Sequence, residues 1–81
     1  MFYVYLLKDK KDKIYIGYSD NLKRRLIEHN SKKVYTSRRM DKPQLFYYEA
    51  YPTKELARNR EKKLKQYGAA FQELKKRLGL K

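Results

Sequence analysis

Tyrosine, histidine, arginine and glutamate side chains can together move protons, balance negative charge and bind metal ions, and this chain carries such residues where local structure can bring them together. Arg25 and His29 are four residues apart, so they lie on the same face if that segment is helical. His29 is the only histidine of the chain, and histidine titrates near neutrality. Its neighbour is a guanidinium, a group whose fork of N–H donors fits a phosphate. A lone histidine is as often structural as functional, and the pair alone does not decide between the two roles.

Tyr5, Tyr15 and Glu61 are the other residues with side chains suited to catalysis. The chain has nine tyrosines, and packing is the commoner role of a tyrosine in a strand. Glu61 lies four residues after Ala57 and three before Leu64, a spacing that puts it beside the buried stripe of a helix. Its neighbours are mostly cations, so Glu61 either forms a surface salt bridge, worth under about 1 kcal/mol, or is a hard oxygen ligand for Mg²⁺. Spacing leaves both alternatives open.

The segments that position these residues begin with a predicted β-hairpin. Residues Phe2 to Leu7 and Lys13 to Tyr18 are rich in Tyr, Ile, Val and Leu, and a charged run without glycine separates them. We expect a connection of about four or five residues in which an aspartate supports the bend. Ser19 and Asp20 then offer an N-cap for a helix that ends at Asn30.

The rest of the chain predicts one more strand and two helices. A polar, basic loop runs from Ser31 to Pro43, and the aromatic segment from Gln44 to Tyr51 is typical of a third strand. A helical period then extends from Leu56 to Tyr67, where Gly68 can close the helix with a left-handed cap. A short third helix that ends at Gly79 folds back over the sheet. The predicted order is β-β-α-β-α-α, which is a single α+β domain over residues 1–81.

Charge is the strongest compositional signal. The chain has 22 Lys and Arg against 9 Asp and Glu, which gives a formal net charge of +13. Such a domain gains salt-sensitive, sequence-independent affinity for nucleic acid, because binding releases counterions from the phosphates. A merely solvated basic surface is the alternative, but a charge this far from neutral raises self-repulsion and usually serves to attract a partner. The candidate nucleic-acid contacts are those of the polar loop: Lys32, Lys33, Arg38 and Arg39.

The apolar and cysteine content argues against two other classes of protein. No apolar stretch approaches the roughly 18 residues that span a bilayer, and no segment has the apolar face of an interfacial helix. Cysteine is absent, so neither disulfides nor thiolate zinc sites support the core, which suits a reducing cytoplasm. We therefore expect a soluble, cytoplasmic protein that does not bind membranes.

Three motifs and a later glutamate occur in a characteristic order along the chain. Tyr3-Val4-Tyr5 is followed ten residues later by Tyr15-Ile16-Gly17, then by Asn21-Leu22-Lys23-Arg24-Arg25-Leu26-Ile27-Glu28-His29, and a later basic helix carries Glu61. This combination resembles the GIY-YIG nuclease superfamily, above all its small stand-alone bacterial members related to the N-terminal nuclease domain of the excision-repair incision subunit. The resemblance covers essentially the whole chain. It implies a small, mainly antiparallel three-stranded sheet flanked by helices.

The resemblance also implies a role for each candidate residue. Tyr5 matches the tyrosine of the first motif and would help to deprotonate the attacking water, while Arg25 matches the arginine that balances charge on the scissile phosphate. Tyr15, the tyrosine of the second motif, and His29 would position water and phosphate. Glu61 matches the single carboxylate that holds one Mg²⁺ ion, or Mn²⁺ in its place, to stabilise the leaving oxygen. The implied activity is metal-dependent endonucleolytic hydrolysis of DNA, in repair or recombination, with all five residues converging on one face of the sheet.

Departures from the family pattern keep other hypotheses open. The first motif reads Tyr-Val-Tyr instead of Gly-Ile-Tyr, no asparagine follows Asn59, and the chain is little more than the family core, without a DNA-binding appendage. The alternative function is a nucleic-acid-binding module that keeps the scaffold without turnover and uses exposed tyrosines as stacking platforms. A protein-interaction adaptor is a third class, which the net charge of +13 argues against, and no protein partner is indicated.

Overall fold

The computed structural model describes residues 1–31 and 39–80. Its elements are, in chain order, β1 (Phe2–Lys8), β2 (Ile14–Ser19), α1 (Leu22–Asn30), β3 (Gln44–Tyr51), α2 (Lys54–Lys65) and α3 (Ala69–Arg77). The predicted order and the α+β class are confirmed. Of the four predicted nucleic-acid contacts, Lys32, Lys33 and Arg38 lie outside the described residues, and Arg39 is exposed.

The three strands form one antiparallel sheet with β1 in the centre and β2 and β3 at its edges, as the resemblance implied. Tyr5 of β1 is paired with Gly17 on β2 and with Tyr48 on β3. Successive side chains of a strand point to opposite faces, so Val4 and Leu6 lie on one face while Tyr5 lies on the other.

The main hydrophobic core fills the face of the sheet that α2 and α3 cover. Apolar side chains of β1 and β2 meet the buried positions of both helices there: Val4, Leu6, Ile16, Ala57, Leu64, Phe71 and Leu74. The third helix therefore folds back on the sheet as predicted. On the opposite face, α1 has His29 as its buried residue, in contact with Tyr5. None of the helices within the described ranges is long and apolar enough to cross a membrane.

The connection between β1 and β2 is organised by one buried carboxylate. Asp9 accepts hydrogen bonds from the backbone N–H groups of Lys11 at 2.9 Å and Lys13 at 2.8 Å, and from that of Asp41 at 3.1 Å. Burial raises the pKa of Asp9, but these three donors outweigh burial and lower it below its usual value. The expected aspartate-supported bend is thus confirmed, and the same side chain also fixes the segment that leads into β3.

The helix that carries Arg25 begins one residue later than predicted. Its N-cap is Asn21, whose side chain accepts the N–H of Arg24 at 3.0 Å. Ser19 cannot act as this cap because it is buried at the end of β2, where its hydroxyl accepts the N–H of Asn21 and donates to the Asn21 carbonyl, both at 2.9 Å. Asp20 instead forms an ion pair with Arg24 at 3.1 Å. Ser19 and Asn21 thus set where the helix starts.

The left-handed residue after α2 is Tyr67, with φ of 54°, and the prediction of Gly68 for this position is wrong because its φ is −94°. The Tyr67 ring packs edge to face on Phe71 with centroids 5.0 Å apart, a contact that helps to offset the strain of this backbone conformation. Gly79, with φ of 74°, follows α3 as expected.

Candidate active site

Four of the five candidate residues meet on the face of the sheet that α1 covers. The Tyr5 hydroxyl of β1 lies 2.7 Å from Nε2 of His29 and accepts a longer hydrogen bond, 3.4 Å, from Nε of Arg25. The Tyr15 ring of β2 packs edge to face on the His29 imidazole with centroids 5.0 Å apart, and it lies 6.2 Å from the Tyr5 ring. We call these four residues the tyrosine cluster.

Gly17 determines where the Tyr5 hydroxyl lies. A Cβ atom added at Gly17 would come within 2.4 Å of both Cζ and Oη of Tyr5, so only glycine leaves room for the phenol. The ring therefore lies directly over the backbone of β2, which is an edge strand. A glycine inside a strand signals such a close approach, and the sequence motif that ends in Gly17 carried that signal.

Burial differs among the members of the tyrosine cluster. Tyr5 and His29 are 0% and 3% exposed, whereas the Arg25 side chain keeps 33% of its surface accessible. Arg25 also lies 3.6 Å from a carboxylate oxygen of Glu28, one turn along the same helix. Arg25 is thus the member best placed to meet a ligand, while Tyr5 and His29 lie behind it.

Burial also sets the protonation states of the tyrosine cluster. Desolvation raises the pKa of Tyr5 far above its usual value, although the hydrogen bond from Arg25 opposes this. Desolvation, helped by the positive charge of Arg25, lowers the pKa of His29, with Glu28 acting in the opposite direction. At neutral pH the phenol is therefore protonated and the imidazole neutral, so the Tyr5 hydroxyl donates its proton toward Nε2.

Glu61 does not join the tyrosine cluster, and the expectation that all five residues share one face of the sheet is wrong. Ala57 and Leu64 of α2 are buried against the face that carries Val4, and Glu61 lies between them on the same side of the helix. Its carboxylate oxygens are 3.0 Å from Nζ of Lys65 and 3.6 Å from Nε of Arg58. The surface salt bridge left open by the spacing is therefore present.

Glu61 nevertheless lies toward the same edge of the sheet as the tyrosine cluster. Its ion-pair partner Arg58 places its guanidinium 5.1 Å from the centre of the Tyr18 ring, and Tyr18 follows Gly17 in β2. The Tyr5 hydroxyl thus lies by Gly17 on one face of β2, and the ion pair of Glu61 and Arg58 lies by the adjacent Tyr18 on the other face.

The residues of this edge fit a metal ion only as a one-carboxylate site. Among residues 1–31 and 39–80, no group of three or more His, Cys, Asp and Glu side chains could hold a metal ion together. Mg²⁺ is commonly held by one or two carboxylates with water and phosphate as the other ligands, so the oxygens of Glu61 suit it chemically. Lys65 and Arg58 compete for those oxygens.

A second polar network, on the core face, was not predicted. Glu49 of β3 accepts two hydrogen bonds from the Arg60 guanidinium, at 2.9 and 3.1 Å, and one from the Tyr47 hydroxyl at 2.7 Å, and Tyr51 donates a further one. Burial and these bonds raise the pKa values of Tyr47 and Tyr51 to about 12. A single glutamate two residues from a tyrosine on either side in a strand was the available signal, because such residues share one face. This network joins β3 to α2.

The chain is thus a small basic α+β domain in which an antiparallel sheet holds a tyrosine hydroxyl between a histidine and an arginine. A family model for the GIY-YIG catalytic domain matches residues 1–78. The chain belongs to this GIY-YIG family.

Relatives of similar size support the assignment. The chain is 38% identical over 64 residues to a UPF0213 protein of Bacillus pumilus, a match that covers 78% of this chain and 65% of that protein. It is 33% identical over 66 residues to a UPF0213 protein of Staphylococcus saprophyticus, with 80% of each chain covered. The solution NMR structure of a UPF0213 protein from Bacillus halodurans is similar, with a TM-score of 0.56, 32% identity, and coverage of 91% of this chain and 81% of that one.

Proposed function

We propose that this chain is an endonuclease that hydrolyses phosphodiester bonds of DNA with the aid of one divalent metal ion. The observation that carries the proposal is the Tyr5 hydroxyl, 2.7 Å from Nε2 of His29 and 3.4 Å from Nε of Arg25, in a chain of a nuclease family. The formal charge of +13 supplies attraction to a polyanion.

Tyr5 and His29 together act as the proton acceptor. The Tyr5 oxygen takes a proton from the attacking water while its own proton passes to Nε2 of His29. Tyr5 therefore never becomes a phenolate, a form that its raised pKa disfavours. The water oxygen forms a bond to phosphorus, the bond from phosphorus to one sugar oxygen breaks, and that oxygen takes a proton from solvent. His29 then releases its proton to solvent, which its lowered pKa favours.

Arg25 controls access to the Tyr5 hydroxyl and balances charge on the phosphate. Its bond to Tyr5 is long, and its other partner, Glu28, lies 3.6 Å away, so neither contact holds the guanidinium strongly. When the guanidinium turns to a phosphate, the position beside the buried hydroxyl becomes free for the attacking water. The positive charge then stabilises the pentacoordinate transition state.

Glu61 would hold the metal ion, with water and phosphate oxygens as the remaining ligands. A bound Mg²⁺ or Mn²⁺ supplies positive charge for the leaving oxygen. DNA that lies across the edge strand β2 would approach Arg25 on one face and Glu61 on the other. Lys65 and Arg58 would then leave Glu61 and form ion pairs with neighbouring phosphates instead.

A cleavage assay with matched variants tests this proposal. Branched, flapped, single-stranded and duplex DNA are incubated with Mg²⁺ or Mn²⁺ and with wild type, Glu61→Gln, Arg25→Ala or Glu55→Gln. Glu61→Gln should bind DNA as well as wild type or better but lose cleavage, whereas the exposed Glu55→Gln should keep both. Arg25→Ala should bind modestly less and cleave on the order of a hundredfold more slowly or worse. Equal cleavage by Glu61→Gln and wild type would reduce Glu61 to a salt-bridge partner.

The second candidate function is a nucleic-acid-binding module without turnover. It is favoured by the ion pairs of Glu61, since Lys65 at 3.0 Å and Arg58 at 3.6 Å already neutralise the carboxylate. The same assay separates the two functions. Wild-type protein that binds DNA but cleaves none of the substrates with either metal ion would establish the module.

A further inference from the structure

The β3 side of the sheet face that carries the tyrosine cluster has an aromatic surface that α1 leaves uncovered. Tyr48 is 52% exposed, and its ring meets that of Tyr3 edge to face with centroids 6.1 Å apart. The two rings line an open groove of about 520 Å³, whose opposite wall is formed by Leu22 and Leu26 of α1, with Lys23 at its rim. We call this the aromatic groove.

The aromatic groove adjoins the tyrosine cluster directly. Tyr48 is the β3 residue paired with Tyr5 of β1, so their side chains are neighbours on one face of the sheet. Arg25 in turn donates a hydrogen bond to the hydroxyl of the same Tyr5. A DNA strand whose phosphate meets Arg25 would therefore have an adjacent nucleotide over Tyr48.

Charge around the aromatic groove suits an anionic ligand with a flat apolar part. Asp20, the acidic residue that lines it, is paired with Arg24 at 3.1 Å. Within the described ranges, Lys23 forms no ion pair and its ammonium stays available to a phosphate. An exposed tyrosine ring supplies the flat surface on which a nucleobase stacks.

We propose that the aromatic groove stacks an unpaired base of the DNA strand next to the scissile phosphate, so that the preferred substrate is DNA with a single-stranded segment. The inference rests on the proposed nuclease function and deepens it. Base pairing and stacking in a duplex hide the faces of its bases, so only an unpaired base can lie on Tyr48. A second copy of the chain is a poorer occupant, because two domains of formal charge +13 repel each other.

Binding measurements without metal ion test the groove separately from cleavage. A short single-stranded oligonucleotide and a duplex of the same sequence are titrated with protein at one fixed salt concentration. Tyr48→Ala should weaken single-strand binding by about 5- to 150-fold, the usual worth of one stacked base, and change duplex binding by less than about twofold. Tyr48→Phe keeps the ring and should bind single strands nearly as wild type does. A 2-aminopurine in the strand should be quenched by wild type and by Tyr48→Phe but not by Tyr48→Ala.

Tyr67→Ala is the matched control, because Tyr67 is 56% exposed and packs on Phe71 in the helical layer, away from the groove. Equal losses for single strand and duplex in Tyr48→Ala, or no loss in either, would overturn the inference. So would sedimentation data in which Tyr48→Ala converts a dimer to a monomer. If the protein cleaves DNA and cleavage does not depend on Tyr48, only the proposed role of the aromatic groove is refuted. If single-strand binding depends on Tyr48 but no metal-dependent cleavage occurs, only the nuclease function is refuted.

Discussion

Replacement of Gly17 by alanine adds a single methyl group and should displace Tyr5. The added Cβ would lie 2.4 Å from Cζ and Oη of Tyr5 and 2.8 Å from Cε1, far inside van der Waals contact. The ring is fully buried and bonded to His29 at 2.7 Å, so it cannot move aside freely. Overpacking costs about 1–3 kcal/mol and an unsatisfied buried hydrogen bond about 1–3 kcal/mol, against a gain of roughly 0.5–1 kcal/mol for alanine in a strand. We expect Gly17→Ala to lower the free energy of unfolding by about 1–5 kcal/mol.

Urea denaturation measures this free energy, and thermal unfolding should show a fall in Tm of at least about 5 °C for a domain of this size. Cleavage by Gly17→Ala should fall even at temperatures where it remains folded, since the Tyr5 hydroxyl has moved.

A second background shows whether Tyr5 is the cause. In Tyr5→Leu the phenol is gone, so adding Gly17→Ala should cost at least about 1 kcal/mol less than it does in wild type. The same cost in both backgrounds would place the damage elsewhere than the Tyr5 ring. Wild-type stability and cleavage in Gly17→Ala would refute the close packing itself.

Three further predictions concern protonation, the second polar network and the basic loop. Burial and Arg25 lower the pKa of His29, so the unfolded chain binds a proton on this imidazole more tightly than the folded chain does. Thermal stability should therefore fall as the pH drops below about 6.5. The imidazole NMR resonance should titrate below that pH in wild type and closer to it in Arg25→Gln. Glu49→Gln should destabilise by about 1–3 kcal/mol in urea, because four hydrogen bonds converge on the carboxylate, whereas Glu73→Gln, with 76% of its side chain exposed, should not. Duplex affinity should fall steeply between about 50 and 200 mM salt, and unrelated sequences should lose similar factors when serine replaces four residues of the basic loop: Lys32, Lys33, Arg38 and Arg39.

The order of elements could be predicted from the sequence because local patterns determine it. Aromatic and β-branched strands, a helical period from Leu56 onward and glycine after the last helix agree with one another, and the structure confirms all three strands and all three helices. The tyrosine cluster could be anticipated in the same way. Strand alternation and the four-residue spacing of Arg25 and His29 restrict where their side chains can point, and the motif order supplied the partners.

Tertiary relations were harder to predict. The faces of a sheet are assigned by which helix packs on which side, and nothing in the spacing of Ala57, Glu61 and Leu64 reveals that α2 covers the face opposite Tyr5. The Glu49 network was missed for the same reason, because Arg60 is eleven residues away and meets the glutamate only after α2 docks. The predicted start of α1 was wrong because neighbouring short polar residues are all suited to the N-cap position, and Asn21 takes it instead of Ser19 or Asp20.

The tyrosine cluster also attaches α1 to the sheet, and this affects how its variants must be interpreted. His29 is the buried residue of α1, so the hydrogen bond to Tyr5 contributes both to the proposed proton acceptor and to the docking of the helix. Replacing either partner leaves the other buried without it, at a cost of about 1–3 kcal/mol. Lost cleavage in such variants therefore combines chemistry with a loosened helix. Arg25 and Glu61 keep 33% and 14% of their side-chain surface exposed, and neither belongs to the core cluster, so their replacement tests the chemistry more cleanly.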